Sequence, residues 1–558
     1  MKLRATFKLT AAALTLALAA PALADGLVDN VAGVTLDAEG QVRRFSGMVV
    51  SDDGRVVRLL GPGEARPTGR LTFRKDGRGA TLMPGLIDAH GHVMGLGFQA
   101  MTLDLSGTRS LAEAQEAVRR WVAANPQAPW VIGRGWNHEL WGLGRFPTAA
   151  ELDAVTGGKP AYLERVDGHA GWANSAALRA AGITATTRAP QGGRIERDAA
   201  GRATGIFVDG AMPLIERVRP APLARDRDDA LARAQERLLS LGVTTVADMG
   251  TTIEDWQAFR RAGDAGRLTV RIIGYGAGVE QMALIAGSRP TPWLYDDRLR
   301  LVGVKLYLDG ALGSRGAWLK ASYSDAPGQR GLPLLTPAQL RNQMVRAAMD
   351  GFQIATHAIG DAANAELLTA IEELAPTYTG DRRWRVEHAQ VLDTADIARL
   401  GRHGIVASMQ PVHQTSDRLM ATARLGEARL AGAYAWRSVR GTGARVAFGS
   451  DFPVESADPF AGLAVAVSRT DREGQPAGGW RVEEAVTREQ ALDGFTRSAA
   501  FAGMAEDRLG TLMPGMRADF ILLERAVDPL TAPTEELRNA RVMETWVGGR
   551  PAWVRGSR

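Results

Sequence analysis

Eight short apolar segments, most followed by a stretch of helical character, constrain this chain more than any other feature. They run Thr81 to Asp88, Gly242 to Asp248, Thr269 to Tyr275, Leu301 to Leu308, Phe352 to His357, Trp384 to His388, Gly404 to Met409 and Arg445 to Ser450. Strands alternating with helices call for a parallel sheet with crossover helices, and eight such units make an α/β fold of the (β/α)8, TIM-like barrel type. The helices carry their own punctuation. Thr336 to Asp350 starts with Thr-Pro and stops before Gly351, and Thr487 to Met504 reads as a second example. About 150 residues separate the first two strands, far too many for one crossover. The gap predicts an inserted lobe, roughly 105–225, holding five of the thirteen tryptophans (Trp121, Trp130, Trp136, Trp141 and Trp172). They suit either the lobe's core or an aromatic wall.

Both ends of the chain have a different rhythm. Residues 25–80 and 506–558 read as short β segments broken by Gly, Pro and charged turns, for example Gly47 to Val50, Asp519 to Leu523 and Val542 to Val547. Neither end is long enough for a core of its own. They are expected to pair into one small β-sandwich around a barrel spanning 81–505.

Residues 1–24 have the three parts of a secretory leader: Lys2, Arg4 and Lys8, the apolar run Leu9 to Ala20, then Pro21-Ala22-Leu23-Ala24. The run is too short to span a bilayer of ~30 Å, and no cysteine is present to take a lipid. The expectation is export, into a periplasm, with cleavage after Ala24 and no membrane anchor afterwards. Losing the leader's three cations lowers the formal charge from +5 to +2. With no basic stripe interleaved with aromatics, nucleic acid is not an expected partner. The oligomeric state is left open.

The chain has no cysteine, which excludes thiolate zinc sites, iron–sulfur clusters and cysteine nucleophiles. Chemistry must come from His, carboxylates, Lys or hydroxyls. Four of the eight histidines sit where predicted strands end, the face on which barrels of this type build active sites. In Asp88-Ala89-His90-Gly91-His92 the two imidazoles, two apart on an extended segment, point the same way and can share a metal. His357 and His388 each finish an apolar run. Asp451, after the last strand, is placed both to bind metal and to accept a proton. Lys305 lies inside an apolar strand, in a chain with only six lysines. Burial favours its neutral amine, which can combine with carbon dioxide to give an anionic carbamate; a lysine snorkelling to the rim is the alternative.

Taken together, Met83 to His92, Gly303 to Arg315, His357 to Asp361, Arg385 to Gln390 and Ser450 to Val454 resemble the amidohydrolase superfamily. Within it the chain is similar to the amidohydrolase family 3 branch, which includes N-substituted formamide deformylases and many exported members. The likeness extends to Gly510 to Phe520 and to Asp167-Gly168-His169, so it covers nearly all of the mature chain. It implies a binuclear centre, with His90 and His92 on one metal, His357 and His388 on the other, carbamylated Lys305 as the bridge and Asp451 completing the set. Zinc is the expected metal, with manganese, cobalt or iron as alternatives. It further implies hydrolysis of an amide or related C–N bond in a small molecule, by attack of a metal-bridging hydroxide with Asp451 as proton shuttle. A deaminase or an ester or lactone hydrolase on the same centre is the alternative chemistry, and a non-catalytic exported binding protein is the alternative class. His169 and His138 are further candidates for holding substrate or stabilising an oxyanion, with lobe packing as the alternative. Arg315 is a candidate to pair with a substrate carbonyl or carboxylate, with a structural ion pair as the alternative; His403 and His413 read as structural or surface residues.

Overall fold

The structure is a computed structural model that describes residues 25–524 and 526–557; the expected leader lies outside the described residues. The eight segments form one parallel sheet whose strands neighbour one another in chain order. They are β1 (Leu86–Gly91), β2 (Val243–Thr251), β3 (Arg271–Ala277), β4 (Leu299–Tyr307), β5 (Gln353–Ala358), β6 (Arg385–His388), β7 (Val406–Met409) and β8 (Arg445–Phe448). Nearly every strand residue is buried, which is why they read as continuous apolar runs without alternation.

Closure from β8 to β1 falls just past the end of β8. The Asp451 amide donates to the His90 carbonyl (2.7 Å) and the His92 amide to the Phe452 carbonyl (2.8 Å). On β1 the Asp88 carboxylate accepts from the Ser450 amide (3.0 Å) and hydroxyl (2.6 Å). Gly449 makes this approach possible: a Cβ there would lie 2.5 Å from the His90 nitrogen and 2.6 Å from Asp88 Oδ1.

Strand β1 starts at Leu86, later than its sequence suggests. Thr81–Pro84 belongs to another sheet, where it pairs antiparallel with Phe520–Leu523. The chain passes between the two sheets at Gly85, whose missing side chain leaves room for Thr244; unbroken apolarity hides the step in the sequence. That second sheet has eight strands drawn from both ends of the chain. It packs on Phe45, Met48 and Leu522, with Phe520 stacked on Trp546 at 5.1 Å. A buried ion pair, Arg271 Nε to Asp519 Oδ2 at 2.6 Å, fastens it to the start of β3, the end of the barrel away from the histidines.

Between β1 and β2 the chain builds a six-stranded sheet from Leu103–Asp104 to Ala203–Asp209. Trp136, Trp141 and Trp172 are buried together in its core, with Trp121 packed against them; the indole nitrogens of Trp136 and Trp172 donate to the Leu163 and Thr148 carbonyls. The tryptophans are lobe core. The helix expected over Thr487 to Met504 divides into Arg488–Gly494 and Arg497–Ala502. The break releases the Phe495 carbonyl, which accepts from the Ile87 amide of β1 at 2.8 Å. Among the described residues, no helix is long and apolar enough to cross a membrane.

Gly449→Ala tests the seam. The added carbon meets backbone, so overpacking is expected to cost about 1–3 kcal/mol. Denaturant titration should show a lowered midpoint; an unchanged midpoint would mean that the seam yields freely.

Candidate metal centre

Three imidazoles at the C-terminal ends of β1, β5 and β6 are each held by an acceptor on Nδ1. For His90 it is Glu387 Oε2 at 2.6 Å, for His357 it is Asp309 Oδ1 at 3.0 Å, and for His388 it is Gln410 Oε1 at 2.8 Å. The acceptors are themselves anchored. Arg385 Nε donates to Glu387 Oε1 (2.7 Å) and its Nη2 to the Ala89 carbonyl (2.6 Å). Asp309 accepts the amides of Ile359 (3.0 Å) and Gly360 (2.8 Å). An oxygen acceptor at Nδ1 places the ring proton there and leaves the Nε2 lone pair free.

Those lone pairs converge. His388 lies 4.7 Å from His90 and 4.5 Å from His357, ring centre to ring centre. Ligand atoms of His90, His388 and Asp451 fall within 4.8 Å of one another, all three residues buried. His357 Nε2 is sealed from solvent and makes no hydrogen bond. Burial pushes His90 down to about 3 and His357 down to about 4, and holds His388 well below the usual imidazole range. Neutral, preset imidazoles with an orphaned nitrogen among them are a donor set that fits a divalent metal. His92, the most exposed of these ligand candidates, places Nε2 3.0 Å from Asp451 Oδ1. Lys305 is 1% exposed, with Nζ 3.2 Å from His90 Nε2; burial pushes its ammonium down to about 8. Asp451 and His388 have φ of 61° and 73°, left-handed backbone that costs a non-glycine residue of order 1–3 kcal/mol and gathers at functional sites.

The inserted lobe also reaches the cluster. His169 sits 5.0 Å from the His357 ring, with Nδ1 2.5 Å from Asp209 Oδ1. Burial opposes its charge, but the carboxylates of Asp209, Asp167 and Asp309 outweigh it and raise the imidazolium to about 9. Arg315 is not brought to the cluster: it pairs with Asp325 at 2.8 Å and lines neither adjoining cavity. His138 is packed in the lobe against Phe146, ring centres 4.5 Å apart, and His403 is exposed. His413 is the residue that sequence reasoning misses. It is buried, stacks on His388 at 5.8 Å and places Nε2 3.5 Å from Asp451 Oδ2. Its signal was position, four residues past the end of β7, on the same barrel face as the other histidines.

Two cavities, of about 740 and 800 Å³, meet at this cluster; His169, His357, His388 and Asp451 line both.

The sequence profile of the amidohydrolase family matches residues 76–552. The chain belongs to the amidohydrolase family. It is 34% identical over 547 residues to protein LONG AFTER FAR-RED 3 of Arabidopsis thaliana, covering 95% of this chain and 91% of that one. It is 30% identical over 486 residues to the N-substituted formamide deformylase of Arthrobacter pascens, covering 85% and 88%. Among solved structures, an uncharacterised metal-dependent hydrolase from Pyrococcus horikoshii OT3 superposes with a TM-score of 0.73 at 26% identity, covering 92% of this chain and 99% of that one. Family and structural relatives together make this amidohydrolase a metal-dependent hydrolase.

Gln410→Leu removes a neutral anchor without stranding a charge. Loss of such an outer partner typically costs 10–100-fold in metal affinity, so a loss of roughly that size is expected. Chelator competition measures it; unchanged affinity would show that Gln410 does not orient His388.

Proposed function

We propose that this amidohydrolase cleaves an amide or related C–N bond in a small molecule. The observation that carries the reading is the buried convergence of Nδ1-anchored imidazoles, Lys305 and Asp451 at the junction of two cavities. His90 and His92 would hold one divalent metal, probed first as zinc, and His357 and His388 the other, with the carbamate of Lys305 between them and Asp451 as the last ligand. When bound, the pair supplies an electrophile for the carbonyl and a nucleophile from water at neutral pH.

The chain's own groups do the rest. Asp451 holds the proton taken from water and passes it to the leaving nitrogen, a transfer that amide cleavage needs because an amide anion leaves poorly. His169, kept cationic by Asp209, presents a donor beside His357 to the oxygen on which negative charge develops. Support for the amide substrate class comes from the formamide deformylase relative. A zinc-loaded sample offered N-formyl, N-acyl and cyclic amides beside esters, lactones and amino-heterocycles tests it. Turnover confined to the last three groups would reject the amide reading. The reading includes export, with a mature chain beginning at Asp25; N-terminal sequencing of fractionated cells checks that.

Lys305 gives the sharpest test of the centre. A carbamate adds negative charge where an ammonium would repel metal, so metal content should depend on bicarbonate. Lys305→Ala is expected to lose most metal and nearly all turnover, with partial rescue by short carboxylic acids. Lys305→Arg should fail as well, because guanidinium stays charged and cannot be carbamylated. Two metals and near wild-type turnover in Lys305→Arg would make the residue a rim lysine.

A further inference from the structure

The two cavities differ in what faces them. His92 lines only the first and His413 only the second, while Asp451 lines both. The Asp451 carboxylate is divided in the same way. Its Oδ1 lies 3.0 Å from His92 Nε2, and its Oδ2 lies 3.5 Å from His413 Nε2. Oδ2 is therefore the oxygen on the side of the second cavity. If Asp451 protonates the leaving nitrogen, as the proposed function has it, that nitrogen and the group it carries enter the second cavity.

Two carboxylates in the wall of this cavity lack a cationic partner. Asp417 Oδ2 accepts from the Tyr434 hydroxyl (2.7 Å) and from Gln390 Nε2 (2.6 Å), both neutral donors; its Oδ1 takes part in neither bond. Glu455 is met by the Ser416 hydroxyl. Of the guanidiniums in and beside the cavity, Arg165 pairs with Asp167, Arg418 with Asp471 at 2.8 Å, and Arg424 with Glu139 and Asp325; Arg109, Arg233, Arg237, Arg472 and Arg538 line the same cavity. Burial pushes the Glu455 carboxyl up to about 7 and raises Asp417 as well, outweighing the opposing influence of the nearby His413 on both. Beside them His413 is 8% exposed, and its Nε2 makes no hydrogen bond. A buried imidazole nitrogen without a hydrogen bond and two acids without an ion pair of their own face one space of about 800 Å³ that opens on the reacting centre. Two exposed leucines, Leu140 and Leu419, also line it and suit a methylene chain.

We propose that the second cavity receives the amine half of the substrate and selects amines bearing a second, cationic nitrogen, which Asp417 and Glu455 bind. An ammonium there replaces missing ion pairs in a partly enclosed setting, where charge-assisted hydrogen bonds are stronger than at an open surface. A neutral alkyl group of the same length would leave both acids unpaired.

Calorimetry on the metal-loaded protein with product-like amines tests this without requiring turnover. 1,5-Diaminopentane is expected to bind about tenfold or more tighter than hexylamine. In Asp417→Asn/Glu455→Gln the ratio should fall to within about threefold, with each single variant intermediate. Hexylamine binding in the same samples reports whether the cavity is intact. Hydrolysis of the two N-acetyl derivatives is read separately. Equal affinities, or a preference that survives the double variant, overturn the proposal even where both derivatives are hydrolysed. Diamine preference with turnover confined to esters, lactones or amino-heterocycles overturns the amide reading on which it rests.

Discussion

Hydrogen bonds donated by three Nδ1 atoms set the chemical state of the imidazoles at the barrel mouth. Without acceptors there, buried imidazoles could turn or change tautomer, and their Nε2 lone pairs would not point at a common place. The acceptors come from separate strands and loops: Glu387 from β6, Asp309 from beyond β4, and Gln410 from beyond β7. Each is deeply buried, so each works only if the barrel holds its register. The Arg385 guanidinium shows the dependence most directly. It joins Glu387, the Ala89 carbonyl of β1 and the Ser408 hydroxyl of β7, so that one cation spans three strands under the metal centre.

Closure of the barrel and assembly of the centre are one event for the same reason. The backbone bonds between Asp451 and His90, and between His92 and Phe452, bring a candidate ligand from β8 onto the strand that carries two others. Asp88 reinforces the seam through Ser450, and burial pushes its carboxyl up to about 6. The sheet of chain ends fastens the opposite end through Arg271 and Asp519. Left-handed backbone occurs at both ends, at His388 and Asp451 beside the cluster and at Asp296 and Asp297, whose carbonyls accept from Arg271.

Much of this was legible before the fold was known, and the reasons are physical. Strands buried on both faces give apolar runs, and a polar residue ending such a run stands out, as His357, His388 and Asp451 do. Lys305 stood out because arginine carries nearly all the positive charge elsewhere. What was hidden lacks such contrast. The step at Gly85 falls inside continuous apolarity, and the division of the helix near Thr496 serves a distant amide donor, that of Ile87. His413 lies within the helix Pro411–Leu425, not at a strand end. Arg315 followed a motif on the active face, yet its partner is Asp325, ten residues on, and no local pattern announces that pair. The six-stranded sheet was visible as surplus length, but its strands are short and its core gathers tryptophans far apart in sequence.

The segment Gly303 to Arg315 shows why the lobe and the centre cannot be treated apart. Lys305 and Asp309 face the cluster from it, while its glycines make room for the lobe. A Cβ at Gly310 would lie 2.2 Å from Asp209 Oδ2, and one at Gly313 would lie 2.7 Å from the Arg165 guanidinium. Just beyond, Gly316 would crowd the same Asp209 oxygen at 2.4 Å. Asp209 holds His169, and Arg165 holds Asp167, so these small residues admit the groups that set the position and charge of the lobe's imidazole beside His357. Arg424 completes the joint by pairing with Glu139 of the lobe and with Asp325, the partner of Arg315. One stretch of chain therefore carries candidate metal chemistry on some residues and a docking surface on the residues between them. Its glycines are required by the lobe's buried charges, and those charges in turn fix His169 at the junction of the two cavities.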